Sequence, residues 1–395
     1  MSEVLFEKAL PEDYEDVIDL GNYVFSQADE PHDYVRFLPK LYKQEYFMDS
    51  IHYLAKEGGK VRAVVGAYPL EMEFSGGPVL PGRGIGMVSV HPNSRSRGFM
   101  KTLMHMALDE MKKDGMVFSC LSGRRHRYEY YGFTQAGGNY IFTVRDHSLY
   151  HTLGRDWTTD LCLCKVSPDD KMILDHIQAL HESKTIRYHR DRERLFDTLV
   201  SWKAQVYAFT RGDSFEGYFV YQPSSNEITE INLKDPSCLA EAITVFLQHR
   251  KELEAPNSRE VKVFAGPHET EKLRILSGFA EDCHNTYAYQ YAIFDFKRFT
   301  EPFLRQKARE QVLGDGSFTL KICGEEETTL VLDSRDITAN SGPANSPPDL
   351  CLTPMDAQRF FFSPFSELII PDIAAHVFLQ TLLPLPLFFE LPDGI

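Results

Sequence analysis

The chain has 395 residues, 43% of them hydrophobic and 25% charged, with 42 Lys plus Arg against 57 Asp plus Glu and a net charge of −15. At roughly 100–200 residues per domain, this length predicts two or three domains, each with enough apolar material for a core. The acidic surplus argues against nucleic-acid binding, which calls for a basic footprint, and suits cationic or small-molecule partners.

The surplus is uneven. Between Val312 and Ile395 stand twelve acidic residues and three basic ones (Lys321, Arg335, Arg359), −9 of the −15, which predicts a distinct C-terminal domain. Seven cysteines are scattered along the chain, with one C-x-C at Cys162 and Cys164 and no second pair to close a zinc site, so they read as reduced thiols of a cytoplasmic protein. Fourteen histidines include no HExxH and no tight cluster, and no metal is expected. The start MSEVLFEKALPEDYEDV lacks the basic opening and apolar core of a signal peptide. The most apolar stretch, 373–391, is interrupted by His376, Gln380, Pro384, Pro386 and Glu390, which is poor for a spanning helix, so no membrane partner is expected.

In chain order, 60–74 alternates well enough for one or two strands and is followed by the turn Ser75-Gly76-Gly77-Pro78. Residues 84–90 read as a short buried strand. From Gly98 to Lys113 apolar residues fall at Phe99, Met100, Leu103, Met104, Ala107, Leu108 and Met111, which is helical spacing, and Gly115 ends the helix. Strands follow at 116–121 and 139–144. A middle segment, about 150–290, repeats the alternation, with strands at 205–210, 217–221 and 261–265 and a helix at 237–250. It has no glycine-arginine loop like the one before Gly98. The last segment opens with strands at 317–323 and 328–332, passes through a low-structure stretch at 340–348, and carries an aromatic group (Phe360, Phe361, Phe362, Phe365) that reads as core. The alternation is that of an α/β (α+β) protein.

The segment with chemical content is Val88-Ser89-Val90-His91-Pro92-Asn93-Ser94-Arg95-Ser96-Arg97-Gly98-Phe99-Met100. A glycine between a strand and an amphipathic helix lets backbone N–H groups approach a phosphate, and the helix N-terminus adds partial positive charge. Arg95 and Arg97 add cations suited to bidentate phosphate contacts. A pyrophosphate fits there.

This R-x-x-G-x after a V-x-V strand resembles the acetyl-coenzyme A loop of the GNAT N-acetyltransferases. Met100 stands where most of them carry a small residue. With Gly98-Phe99-Met100-Lys101-Thr102-Leu103-Met104, Ser122 and the segment Arg127-Tyr128-Glu129-Tyr130-Tyr131-Gly132-Phe133, the chain resembles the Eis (enhanced intracellular survival) branch. The resemblance implies that Arg95, Ser96, Arg97, Gly98, Phe99, Met100 and Ser122 hold the coenzyme, with the amides of Val88 and Val90 on its pantetheine and acetyl carbonyl. It also implies that Tyr128 is the general acid. A phenol of pKa about 10 can protonate a departing thiolate and remain protonated at pH 7. Tyr130 and Tyr131 are rivals that spacing does not separate.

No histidine or glutamate near these motifs stands out as a base, although His126 and Glu129 adjoin Tyr128. The ending Leu385 to Ile395, with Asp393 two places from the end, resembles the Eis-like ending whose terminal carboxylate enters the active site. Ile395 replaces the usual Phe. An α-carboxylate near pKa 3.5 accepts or relays the amine proton best when desolvated.

For the whole chain the resemblance implies two tandem GNAT-like domains with mixed sheets flanked by helices, and a small α+β domain. These are 1–148, which binds acetyl-coenzyme A, 149–298, without the loop, and 299–395, similar to sterol carrier proteins, whose C-terminus reaches the active site. It implies acetyl transfer to a primary amine without a metal, with aminoglycosides among the acceptors of some members, and a homo-oligomer, trimeric or hexameric. The competing class is a binding protein, an acyl-coenzyme A sensor or a lipid carrier built on the last domain. Asp29, Glu30 and Asp33 read as an acidic rim for a cationic amine or as a solvated charge run. Arg124, Arg125 and Arg127 face either the coenzyme's 3′-phosphate or solvent.

Overall fold

The computed structural model describes residues 3–27, 31–154, 156–250, 258–314, 316–323, 328–333, 338–341 and 347–395. Strands β1 (Val4–Lys8), β2 (His52–Glu57), β3 (Lys60–Phe74), β4 (Val79–Val90), β5 (Phe118–Leu121) and β6 (Thr134–Arg145) come from the first part of the chain. The middle contributes β7 (Cys162–Lys165), β8 (Ile186–Tyr188), β9 (Gln205–Arg211), β10 (Ser214–Gln222), β11 (Glu227–Leu233), β12 (Glu260–Ala265) and β13 (Asp282–Ile293). The last part contributes β14 (Ser317–Ile322), β15 (Thr328–Asp333), β16 (Thr338–Ser341) and β17 (Leu350–Leu352).

The first thirteen strands form one mixed sheet in the order β1-β2-β3-β4-β5-β13-β6-β12-β11-β10-β9-β7, with β8 paired to the far end of β3. The expected strand at 139–144 lies inside β6, but β6 does not neighbour β5. The late strand β13 stands between them, antiparallel to both. Four-residue β5 offers little edge, whereas β13 pairs along nearly its whole length with β6, from Asp282–Thr143 to Tyr291–Thr134. One sheet therefore joins both halves of the chain. The single strand β3 covers 60–74, and β4 begins five residues earlier than its apolar run suggests, because the turn after Phe74 folds Val79 back onto Glu73.

The helix Phe99–Lys113 buries Phe99, Leu103, Met104, Ala107, Leu108 and Met111 against the sheet, the face its periodicity indicates. In the middle of the chain the helix Leu239–His249 takes the matching place between β11 and β12. β14 to β17 make a separate four-stranded sheet in the order β16-β15-β14-β17. The aromatic residues Phe360, Phe361 and Phe362, on the helix Pro354–Phe362, are buried in a core shared with Phe118, Tyr291, Phe299 and Phe303. Of the expected low-structure stretch 340–348, Asn340 and Ser341 lie in β16 and 342–346 lie outside the described residues. No helix among the described residues is long and apolar enough to cross a membrane, and all seven cysteines are unpaired.

Candidate active site

Parallel strands β4 and β5 pair only from Gly82–Phe118 to Gly84–Cys120 and then diverge. Just beyond, the β3–β4 register slips between Val64–Ser89 and Gly66–Gly86, so Met87 and Val88 together oppose Val65, and Met87 takes φ +50°. Such a bulge takes backbone groups out of the ladder and bends the strand. No sequence signal marks Met87. The gap opens into a cleft of 1230 Å³ lined by Val88, Val90, the Arg95–Met100 loop, Ser122, Tyr128 and Ile395, the residues that the resemblance assigns to the coenzyme and to catalysis.

The loop meets the requirements of a phosphate cradle. Gly98 sits at φ +81°, where a side chain is strained, as the residue before the helix. No side chain caps that helix, and its first hydrogen bond is Thr102 N–H to the Gly98 carbonyl, so the preceding amides are unspent donors. A Cβ at Gly98 would meet nothing within 4 Å, so the approach is open. Of the two loop arginines, Arg97 is clamped by Glu57 at 2.7 and 3.0 Å and covers the Phe99 ring, while Arg95 is exposed at the cleft. Arg124 and Arg127 line the cleft, whereas Arg125 is held by Glu129 at 2.6 Å.

Tyr128 ends the short helix Arg125–Tyr128 and is 7% exposed, its ring packed over Gly123. Burial raises its phenol above the usual range, partly offset by the neighbouring Arg127 guanidinium, so it carries its proton at neutral pH. Of the rivals, Tyr131 also lines the cleft, whereas Tyr130 is 63% exposed and covered by Lys101. Neither His126 nor Glu129 lines the cleft. Glu129 is taken by Arg125 and Arg359.

The chain end enters the same cleft. The Ile395 side chain lies directly over two glycines of β4: a Cβ on Gly84 would fall 1.6 Å from its Cδ1, and one on Gly86 would fall 2.6 Å from its Cγ2. Tyr289 also lines the cleft, and its ring stacks on Phe389 at 4.1 Å. Upstream, Lys40 Nζ donates to the Pro392 carbonyl at 2.6 Å, and Gly138 N–H donates to the Leu387 carbonyl at 2.9 Å.

A buried ion cluster fixes this tail. Arg190, 1% exposed at its side chain, donates to Asp393 at 2.8 and 3.0 Å, to Glu230 at 3.1 and 2.8 Å and to Glu390 at 3.2 Å. Lys184 pairs with Glu230 and Glu390. Burial and the Glu230 carboxylate push Glu390 up to about 7, and burial pulls Lys40 down to about 7. His181, Glu230 and Glu390 could in spacing share a cation, but Arg190 and Lys184 already sit on both carboxylates. Charge patterning did not single out Arg190, Lys184 or Glu230, since charged residues in a mixed run read as solvated. Of the expected acidic rim, Asp33 instead accepts from Arg36 N–H at 3.1 Å as a helix cap and does not line the cleft, and Asp29 and Glu30 lie outside the described residues.

Residues 6–136, which hold the loop and Tyr128, match the family model described as acetyltransferase (GNAT) domain. None of the curated protein sequences matches the chain. Among solved structures, a GCN5-related N-acetyltransferase from Kribbella flavida is similar over 100% of this chain and 99% of its own, with TM-score 0.63 and 16% identity. A probable N-acyltransferase from Enterococcus faecalis V583 aligns over 98% and 100% with TM-score 0.68 and 18% identity. Eis1 from Mycobacterium abscessus aligns over 100% of both chains with TM-score 0.66 and 12% identity. At these identities the structures share the fold. The domain match and that fold together support an acyltransferase enzyme.

Proposed function

We propose that the chain is an acetyl-coenzyme A-dependent N-acetyltransferase that passes acetyl directly to a primary amine. The observation that carries this reading is convergence: an unspent helix N-terminus, a buried protonated tyrosine and the chain's own carboxylate end line one cleft. Arg95 and the amides from Gly98 to Lys101 take the pyrophosphate, and the bulged backbone at Val88 and the Val90 amide align the pantetheine arm and thioester carbonyl. The neutral amine attacks the thioester carbon, a C–N bond forms, and the C–S bond breaks. Tyr128 gives its proton to the departing sulfur, and the Ile395 carboxylate takes the amine proton, directly or through water. Tyr128 is reprotonated from solvent.

The division into 1–148, 149–298 and 299–395, the kinship of the last unit to sterol carrier proteins, a trimeric or hexameric assembly and a cytoplasmic setting belong to the same proposal. Light scattering on the full chain tests the assembly.

The test of the reaction is thiol release from acetyl-coenzyme A with amine acceptors, comparing the native chain with Tyr128→Phe. The substitution removes one hydroxyl. Amine-dependent release that falls about 10²–10⁴-fold supports both the reaction and the acid. Unchanged release moves the acid to Tyr131 or water, and no release with any amine despite acetyl-coenzyme A binding favours a sensor.

A further inference from the structure

We propose that the acceptor end of the cleft is built for an amine bearing a single positive charge on an apolar, preferably aromatic, body, with Trp202 as its platform. The inference rests on the acetyl-transfer reading above and narrows its substrate.

Away from the loop the cleft is lined by apolar side chains, among them Phe25, Leu38, Trp202 and Val220, and by uncharged polar ones, among them Gln222, Ser224 and Thr229. The five cations that line it, Arg95, Arg97, Lys101, Arg124 and Arg127, belong to the loop, the helix it opens and the segment after β5, at the coenzyme end. Among the described lining residues the only acidic side chain is Glu227, already in contact with Ser225 Oγ at 2.7 Å and with Lys262 at 3.7 Å. Together with the terminal carboxylate, this charge complement answers one ammonium group. A polycation would bring further charges against uncharged walls that offer no second acidic side chain to compensate them, opposite an end already basic. An apolar body gains from the same walls by leaving water.

A second observation singles out Trp202. It and Lys203 adopt left-handed backbone, φ +61° and +63°, a conformation that costs free energy for bulky residues and collects at functional sites. Two contacts hold it. The Trp202 carbonyl accepts from Gln222 Nε2 at 2.7 Å, and Lys203 Nζ covers the Phe37 ring at 4.4 Å. The indole Nε1 faces Gly394, 3.5 Å from where a Cβ there would stand. The result is a tryptophan, 37% exposed, beside Gly394, a platform on which an aryl group can stack and an ammonium can meet a π-face.

The experiment measures kcat/KM for thiol release from acetyl-coenzyme A by the full chain with 2-phenylethylamine, ethylamine, spermidine and tobramycin. The expected result is a preference of at least about tenfold for 2-phenylethylamine over the other three. In Trp202→Ala the phenylethylamine-to-ethylamine ratio falls toward one, and in Trp202→Phe it is largely retained, which separates a lost platform from a misfolded chain. Higher kcat/KM with spermidine or tobramycin, or an unchanged ratio in Trp202→Ala, overturns the inference while leaving acetyl transfer intact. No release with any of the four amines overturns both.

Discussion

Replacing Arg190 by methionine tests how the chain end is held in the cleft. Methionine keeps much of the apolar stem but leaves the buried carboxylates of Glu230 and Asp393 with Lys184 as the remaining cation, paired with Glu230 at 3.1 Å and with Glu390. Removing one partner of a buried pair costs roughly 3–5 kcal/mol, because the other charge stays buried without compensation. At about 2.1 cal/mol/K per residue the unfolding entropy of a chain this long is about 0.8 kcal/mol/K, so this cost lowers Tm by about 4–6 °C where the chain melts as one unit. The local effect is larger. If about 3 kcal/mol of the cost falls on docking of the tail, the docked-to-undocked ratio drops about a hundredfold, and Ile395 leaves Gly84 and Gly86.

Calorimetry, carboxypeptidase digestion followed by mass spectrometry, and thiol release read these consequences separately. The native chain should resist removal of Ile395, and R190M should lose it quickly, melt lower and release thiol slowly. Native resistance in R190M together with a Tm within about 1 °C of the native value refutes the reasoning. A triple variant, R190M with Glu230→Gln and Asp393→Asn, removes charge from both sides and should recover most of the lost Tm, since neutral replacement of a buried ion cluster is often tolerated. A triple variant that melts below R190M shows the cost to be packing rather than charge.

Gly84→Ala places a methyl group within bonding distance of the Ile395 side chain, so the terminus must shift. We expect kcat to fall at least about tenfold, as a misplaced catalytic group does, with acetyl-coenzyme A affinity by calorimetry unchanged. Arg95→Gln removes the exposed loop cation at the cleft and should raise the KM for acetyl-coenzyme A roughly 10–100-fold, the range for a charged hydrogen bond. Buried Lys40 has its pKa drawn down from 10.5 to about 7 by burial. Between those values the unfolded chain holds a proton that the folded chain lacks, so stability rises with pH from about 7 to about 10.5, and below 7 the full cost of the buried charge is present. Tm measured across that range should climb in the native chain more than in Lys40→Met, and equal slopes in the two chains would exclude Lys40 as the titrating group.

What could be read from the amino acids was what local physics encodes. The helix Phe99–Lys113 declares itself by the spacing of its buried face and Gly98 by its place between a strand and that helix, whereas Tyr128 stands apart from Tyr130 and Tyr131 only through the resemblance to the Eis branch. The exchanged strand β13 was not legible, because alternation marks 282–293 as a strand without saying which edge it joins, and its partners Leu121 and Thr143 are far away in sequence. The ion cluster is the extreme case. Asp393 was conspicuous as an acid two places from the end, yet its meaning depends on Arg190, 203 residues earlier, in a run of mixed charge that reads as solvated surface. Apolar packing would be at least as stable as three carboxylates and two cations at the same place. Charge does something apolar packing cannot. Hydrogen bonds from one rigid guanidinium to Asp393, at 2.8 and 3.0 Å, fix distance and direction, and Asp393 is two residues from the carboxylate proposed to take the amine proton. The tail could dock by its leucines and phenylalanines alone, and those contacts would tolerate a slide along the groove. The ion cluster does not, and a terminal residue lying over two side-chain-free positions of β4 leaves little room for one.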